Sequence, residues 1–114
     1  MVEDDSTRIK HIFDACKEIL EFTNNSSKIQ FENNKILTYA SVHLIEIIGE
    51  AASSVTSELK KKYSNIPWKN IIGMRNRLIH GYFDIDLDIV WQTIKKDIPD
   101  LLREIEIIII KEKI

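Results

Sequence analysis

"PWKNIIGMRNRLIHGYFDID", Pro67 to Asp86, decides the fold, because its apolar residues recur at helical spacing with an arginine among them. At about 100° per residue, with Trp68 as zero, Ile72 and Ile79 fall within roughly 40° on one side, and Leu78, Ile71 and Tyr82 within roughly 80° on the other. Arg75 lies between the two groups, about 20° from Trp68. Burying an unpaired guanidinium costs on the order of several kcal/mol, so Arg75 is expected to have a partner, reach a shared cavity or line an interface. Pro67 suits the first turn of this helix, and Gly81 after His80 is a natural left-handed stop.

The same period runs outward in both directions. With 3 Gly and 2 Pro in 114 residues there is little turn punctuation, and the pattern predicts an all-α protein. A first helix is expected from Ser6, as N-cap, to Phe22, with Ile9, Ile12, Phe13, Cys16, Ile19 and Leu20 as its apolar stripe. A second begins near Lys28 or Asn34 and runs to Tyr63, with Leu37, Leu44, Ile48, Ala52, Val55 and Leu59 on one face. After the Pro67 helix, a fourth starts at Asp84 or Asp86, either of which can cap it, and carries Leu87, Val90, Trp91 and Ile94. Pro99 would clash inside a continuous helix, which predicts a break or kink near Asp97 before a last helix. The expected architecture is one domain, residues 1–114, an antiparallel bundle of four main helices plus a short extra one. Ile107 to Ile110 cannot all face one core from a helix: either a second subunit buries them or they form a frayed, sticky end.

Composition narrows the function. Hydrophobic residues at 44%, charged residues at 30% and a net charge of −2 are ordinary for a globular domain. No global basicity points to nucleic acid, and DNA is not expected as a partner. RNA binding would need a local patch, for which Lys60, Lys61, Lys62, Lys69, Arg75 and Arg77 are candidates, against the plainer reading of the lysines as a solvated run. The single cysteine, Cys16, rules out an internal disulfide and sits in a core stripe, which fits a reducing cytoplasm. His11, His43 and His80 have no metal-site spacing. The polar, acidic start is no signal peptide, and no apolar run approaches the ~20 residues of a membrane span.

On a helix Asn76 and His80 are neighbours, about 40° apart, whereas Arg75 and His80 lie about 140° apart. Two arrangements would bring Arg75 and His80 together: a helix end at Gly81 that swings His80 round, or two copies meeting across a two-fold axis. A histidine can move a proton, an arginine can brace charge developing on a phosphate, and an asparagine can orient either. On RNA the 2′-hydroxyl is an internal nucleophile, so such a set needs neither cofactor nor metal. Tyr39, His43, Glu46 and Glu50 share the polar side of the second helix. They are either a solvated face or, in the case of Glu46 or Glu50, a partner for a motif arginine.

"GMRNRLIHGYFDID", followed by "VW" and "DIP", and preceded by "IIGEAAS" and "IPWKNIIGMRN", resembles the HepT-like branch of the HEPN domains. The signature of that family is an arginine, four residues, a histidine, one residue and a tyrosine. Those positions are Arg75, His80 and Tyr82 here, with Asn76 as the polar residue after the arginine, and the likeness spans about Leu37 to Leu101. The resemblance implies a metal-independent ribonuclease toxin, homodimeric, with a composite site at the dimer interface. It further implies a minimal nucleotidyltransferase antitoxin as partner, which attaches AMP to the motif tyrosine, Tyr82. The alternative is a non-catalytic dimeric module that uses the same seam to hold a nucleotide or that partner.

Overall fold

Ser27, Asn34, Thr56 and Asp86 fix where four of the helices begin. In the computed structural model, which describes residues 3–80 and 84–114, each accepts a backbone N–H from the first turn that follows it. The elements are α1 (Glu3–Thr23), α2 (Lys28–Glu32), α3 (Lys35–Ser54), α4 (Ser57–Lys62), α5 (Trp68–Ile72), α6 (Met74–Leu78), a hairpin of β1 (Ile79–His80) and β2 (Asp84–Ile85), α7 (Leu87–Gln92) and α8 (Ile98–Lys111). The expected all-α bundle is present, with that small hairpin as an addition.

Ile9, Ile12, Cys16 and Ile19 are wholly buried along α1. They pack with Ile45, Ile48 and Ala52 of α3 and Ile98, Ile105 and Ile108 of α8 in one continuous core. Truncating any of these isoleucines to alanine costs about 2–5 kcal/mol. Asp5 ties the start of α1 to the far end of α3, so the two helices run antiparallel: its Oδ1 accepts the Thr56 N–H at 3.0 Å and its Oδ2 the Thr56 hydroxyl at 2.6 Å. Ser6 is therefore no N-cap, since the helix already starts at Glu3.

The second predicted helix is three pieces. Lys28 and Asn34 both mark real starts, but the long helix stops at Ser54 and does not reach Tyr63. The hydroxyls of Ser53 and Ser54 both donate to the Glu50 carbonyl, at 2.7 and 3.2 Å, and compete there with the backbone ladder. Val55 then turns extended, and the Thr56 N–H goes to Asp5 rather than to a helical carbonyl. The short α2 is fastened to α7 by Phe31 against Trp91, ring centroids 5.4 Å apart, and by Lys28 to Asp88 at 2.6 Å.

Pro99 acts as expected on the last helix. A π-helical turn, Thr93–Asp97, joins α7 to α8, and the Ile98 N–H reaches back five residues to the Thr93 carbonyl. The wider turn absorbs the proline, which has no N–H and whose ring would crowd the Lys95 carbonyl in a regular helix. Of the four-isoleucine run, Ile108 is buried while Ile107 and Ile110 are exposed. No described helix is long and apolar enough to cross a membrane.

Candidate functional site: an arginine and a histidine held by separate carboxylates

The helix expected to run from Pro67 to His80 is broken at Gly73 and ends at Leu78. The first break follows from close packing on α3. A Cβ on Gly49 would lie 3.2 Å from the Ile72 carbonyl oxygen and 3.5 Å from that of Ile71, so the end of α5 rests directly on α3 where there is no side chain. The second break is the hairpin. Ile79 takes extended angles and pairs with Ile85, His80 pairs with Asp84, and the Asp86 N–H donates to the Leu78 carbonyl at 2.7 Å. His80 therefore stands on a strand, and the helical neighbourhood of Asn76 and His80 does not exist. The angles drawn from a continuous helix fail beyond Gly73 for the same reason. Gly81 and Tyr82, the expected helix stop and the expected AMP acceptor, lie outside the described residues.

Arg75 finds its partner within its own chain. Its Nε donates to Glu46 Oε2 at 3.0 Å, both side chains being 37% exposed. The arginine is thus not sunk in the apolar seam, and a twin subunit is not needed to accommodate it. Of the two acidic candidates on α3, Glu46 makes this contact. Its other oxygen, Oε1, lies 3.9 Å from His43 Nδ1. Glu46, Gly49, Glu50, Ile72, Arg75 and Asn76 line one open groove of about 320 Å³. Asn76 is exposed at its edge.

His80 has a carboxylate of its own, which residue spacing did not reveal. Asp86 Oδ2 lies 3.6 Å from His80 Nε2, at ion-pair rather than hydrogen-bond distance, while Asp86 Oδ1 caps α7. Asp86 was legible as a cap; its approach to His80 depends on the hairpin folding back, which no helical period shows. Among the described residues no hydrogen bond or ion pair joins Arg75 to His80. Nor does any group of three or more His, Cys, Asp or Glu there stand close enough to hold a metal ion.

The six basic residues considered as one patch separate. Lys62 is held by Glu112 at 2.7 Å. Arg77 reaches the Asn70 carbonyl at 3.5 Å and lines a different cavity of about 390 Å³, together with Asp97, Asp100 and Glu104. Lys60, Lys61 and Lys69 line a third depression.

A small helical bundle presenting an arginine and a histidine five residues apart, each beside its own carboxylate, defines a class of compact all-α domains that carry a charged site on a short helix and its adjoining turn. The family described as Ribonuclease HepT-like matches residues 12–108, and the chain belongs to it, as the resemblance of its motifs implied. "Putative RNase MJ1380" of Methanocaldococcus jannaschii is 39% identical over 97 residues, 85% of this chain and 89% of that relative. "Putative RNase TTE0752" of Caldanaerobacter subterraneus subsp. tengcongensis is 41% identical over 105 residues, 92% of this chain and 94% of its own. "Probable ribonuclease HepT" of Thermococcus cleftensis is 36% identical over 98 residues, 86% and 89% of the two chains. No solved structure matches the chain.

Proposed function

We propose that this protein is a metal-independent endoribonuclease, the toxin of a toxin–antitoxin pair, acting in the cytoplasm as a homodimer with a composite site. The observation that carries the reading is the seating of Arg75. Glu46 takes the Nε edge of its guanidinium, which leaves the terminal N–H donors for a phosphate in the bidentate manner arginine favours.

In the proposed reaction His80 removes the proton of a 2′-hydroxyl, and the resulting oxygen attacks the adjacent phosphorus. The bond from phosphorus to the 5′-oxygen breaks, leaving a 2′,3′-cyclic phosphate. The leaving 5′-oxygen takes its proton from the second subunit's imidazole. Arg75 braces the charge that grows on the phosphorane, and Asn76, at the groove's edge, orients the phosphate.

The dimer is supported by a second stripe on α3. Ile36, Tyr39, His43, Glu46 and Glu50 follow one another at intervals of three and four residues, the spacing of a helix-pairing seam. Ile36 is 84% and Tyr39 58% exposed. This stripe runs into the Arg75 groove, so a second copy seated on it would bring its own arginine and histidine to the same place. Tyr82, two residues beyond His80, is proposed as the acceptor of AMP from a nucleotidyltransferase antitoxin. An added phosphate there would compete for Arg75 and silence the site.

The test is RNA cleavage in excess chelator by the native protein, Arg75→Ala and His80→Ala. Cleavage by the native protein that falls at least a hundredfold in both variants is the expected result. Absence of cleavage of any cellular RNA, with nucleotidyltransferase binding kept, would establish the non-catalytic module instead.

A further inference from the structure

Lys60 and Lys61 on α4 and Lys69 on α5 have no part in the chemistry above. They come together around a shallow groove of about 420 Å³, floored by Ile66, Pro67 and Trp68, and no carboxylate lines it. Among the described residues none of the three enters an ion pair, whereas the adjacent Lys62 is committed to Glu112. In a chain of net charge −2, three uncompensated ammonium groups at one depression make a local field that attracts a polyanion.

The floor decides which part of a polyanion fits. Trp68 donates its indole N–H to the Tyr63 carbonyl at 3.1 Å and is only 8% exposed, so its ring face is not free to stack on a base. Contacts there go to phosphates, which lysine meets as a point charge, and not to base edges. The groove and the candidate site both draw on α5. Lys69 is three residues from Ile72 on α5, and Ile72 lines the groove that holds Arg75. Lys69 is six residues before Arg75, across the break at Gly73, so the chain between them spans at most roughly 20 Å, within a few nucleotides of a strand held there. Of the two carboxylates lining the Arg75 groove, Glu46 is paired with Arg75 and Glu50 enters no ion pair among the described residues.

We propose that Lys60, Lys61 and Lys69 form an exosite for the phosphodiester backbone of RNA flanking the scissile bond, binding without sequence preference. The identity of the ligand rests on the ribonuclease reading.

The experiment measures binding of a labelled single-stranded RNA across a series of KCl concentrations, in a His80→Ala background so that the probe survives. The triple variant Lys60→Gln, Lys61→Gln, Lys69→Gln is expected to bind at least tenfold more weakly. Its log–log salt slope should be shallower by about 2, since each phosphate contact on a single strand contributes roughly 0.7. A charge-matched control, Lys10→Gln, Lys35→Gln, Lys111→Gln, should move neither quantity, and Lys→Arg at the three groove positions should bind like the parent. Equal losses in the two triple variants, or none in the groove variant, would overturn the exosite. Binding that depends on the groove lysines in a protein whose native form cuts no RNA would sustain the exosite and defeat the cleavage reading. Native cleavage with groove-independent binding would do the reverse.

Discussion

Asp86 divides its carboxylate between two tasks, since one oxygen accepts the Ile89 N–H at 3.2 Å and closes the first turn of α7 while the other faces His80 at 3.6 Å. Asparagine caps a helix about as well as aspartate but carries no charge for an imidazolium. Asp86→Asn is therefore expected to keep the melting temperature within a degree or two and to lower RNA cleavage about tenfold. Asp86→Ala should lose the same activity and about 1 kcal/mol of stability as well. Equal melting temperatures for the two variants would show that the cap contributes nothing. Glu46 divides its oxygens in the same way between Arg75 and His43, and Glu46→Gln is expected to cut activity with little change in stability, because a half-exposed pair is worth only about 0–1 kcal/mol. At this scale the sequence was informative where the partner lay on a regular helix: the polar side of α3 offered Glu46 or Glu50 as an arginine's partner, and the contact falls to Glu46. Asp86 could not be assigned to His80, because their approach is made by chain reversal.

Helix starts were readable in part, where capping is local: Asn34 and Asp86 each accept a backbone N–H three residues on, whereas Ser6 is no cap because α1 already starts at Glu3. Helix ends were not, where the cause lay in another element. α3 stops because Asp5, 51 residues earlier, takes the Thr56 N–H, and α5 stops where its carbonyls meet Gly49. The apolar period continues unbroken through Gly73, so nothing in that stretch alone announces a second helix. Gly49 in turn sets how closely α3 carries Glu46 to Arg75. Gly49→Ala would place a methyl 3.2 Å from the Ile72 carbonyl oxygen, tighter than backbone readily yields, and is expected to cost about 1–3 kcal/mol. It should also lower cleavage at least as far as Glu46→Gln does, by displacing Arg75 from its carboxylate. Urea denaturation and RNA cleavage on the same preparation check both halves. A variant as stable as the parent would mean that α5 can slide without penalty, and the spacer role would fail.

At the scale of the whole molecule, polar contacts between residues distant in sequence fasten the first and last helices to the segment around α4. Asp5 does this for α1, and Glu112 does it for α8: its Oε2 accepts the Tyr63 hydroxyl at 2.6 Å and Lys62 Nζ lies 2.7 Å away. Composition gave no hint of this latch, which joins residues 49 positions apart. It makes stability depend on pH at both extremes. Burial, and then the Glu112 carboxylate, push the Tyr63 phenol from its ordinary 10 up to about 12, so the native fold holds that proton more tightly than the unfolded chain. A raised value stabilises fully below pH 10 and is lost as pH climbs from 10 through 12. Lys62 and the Tyr63 hydroxyl draw Glu112 below its usual range, and that contribution is present above about pH 4.5 and lost as acid protonates the carboxylate. Cys16, raised by burial to about 12, and Lys28, raised by Asp88, weaken the fold in the same alkaline direction. Both are common to the native protein and Tyr63→Phe, so the difference between the two isolates the latch. Urea midpoints measured from pH 7 to pH 12 should show the native protein ahead of Tyr63→Phe by a constant margin up to about pH 10. The margin should then shrink steadily toward pH 12. A margin that stayed flat across that window would mean that the phenol titrates alike in both states and that Glu112 does not hold it.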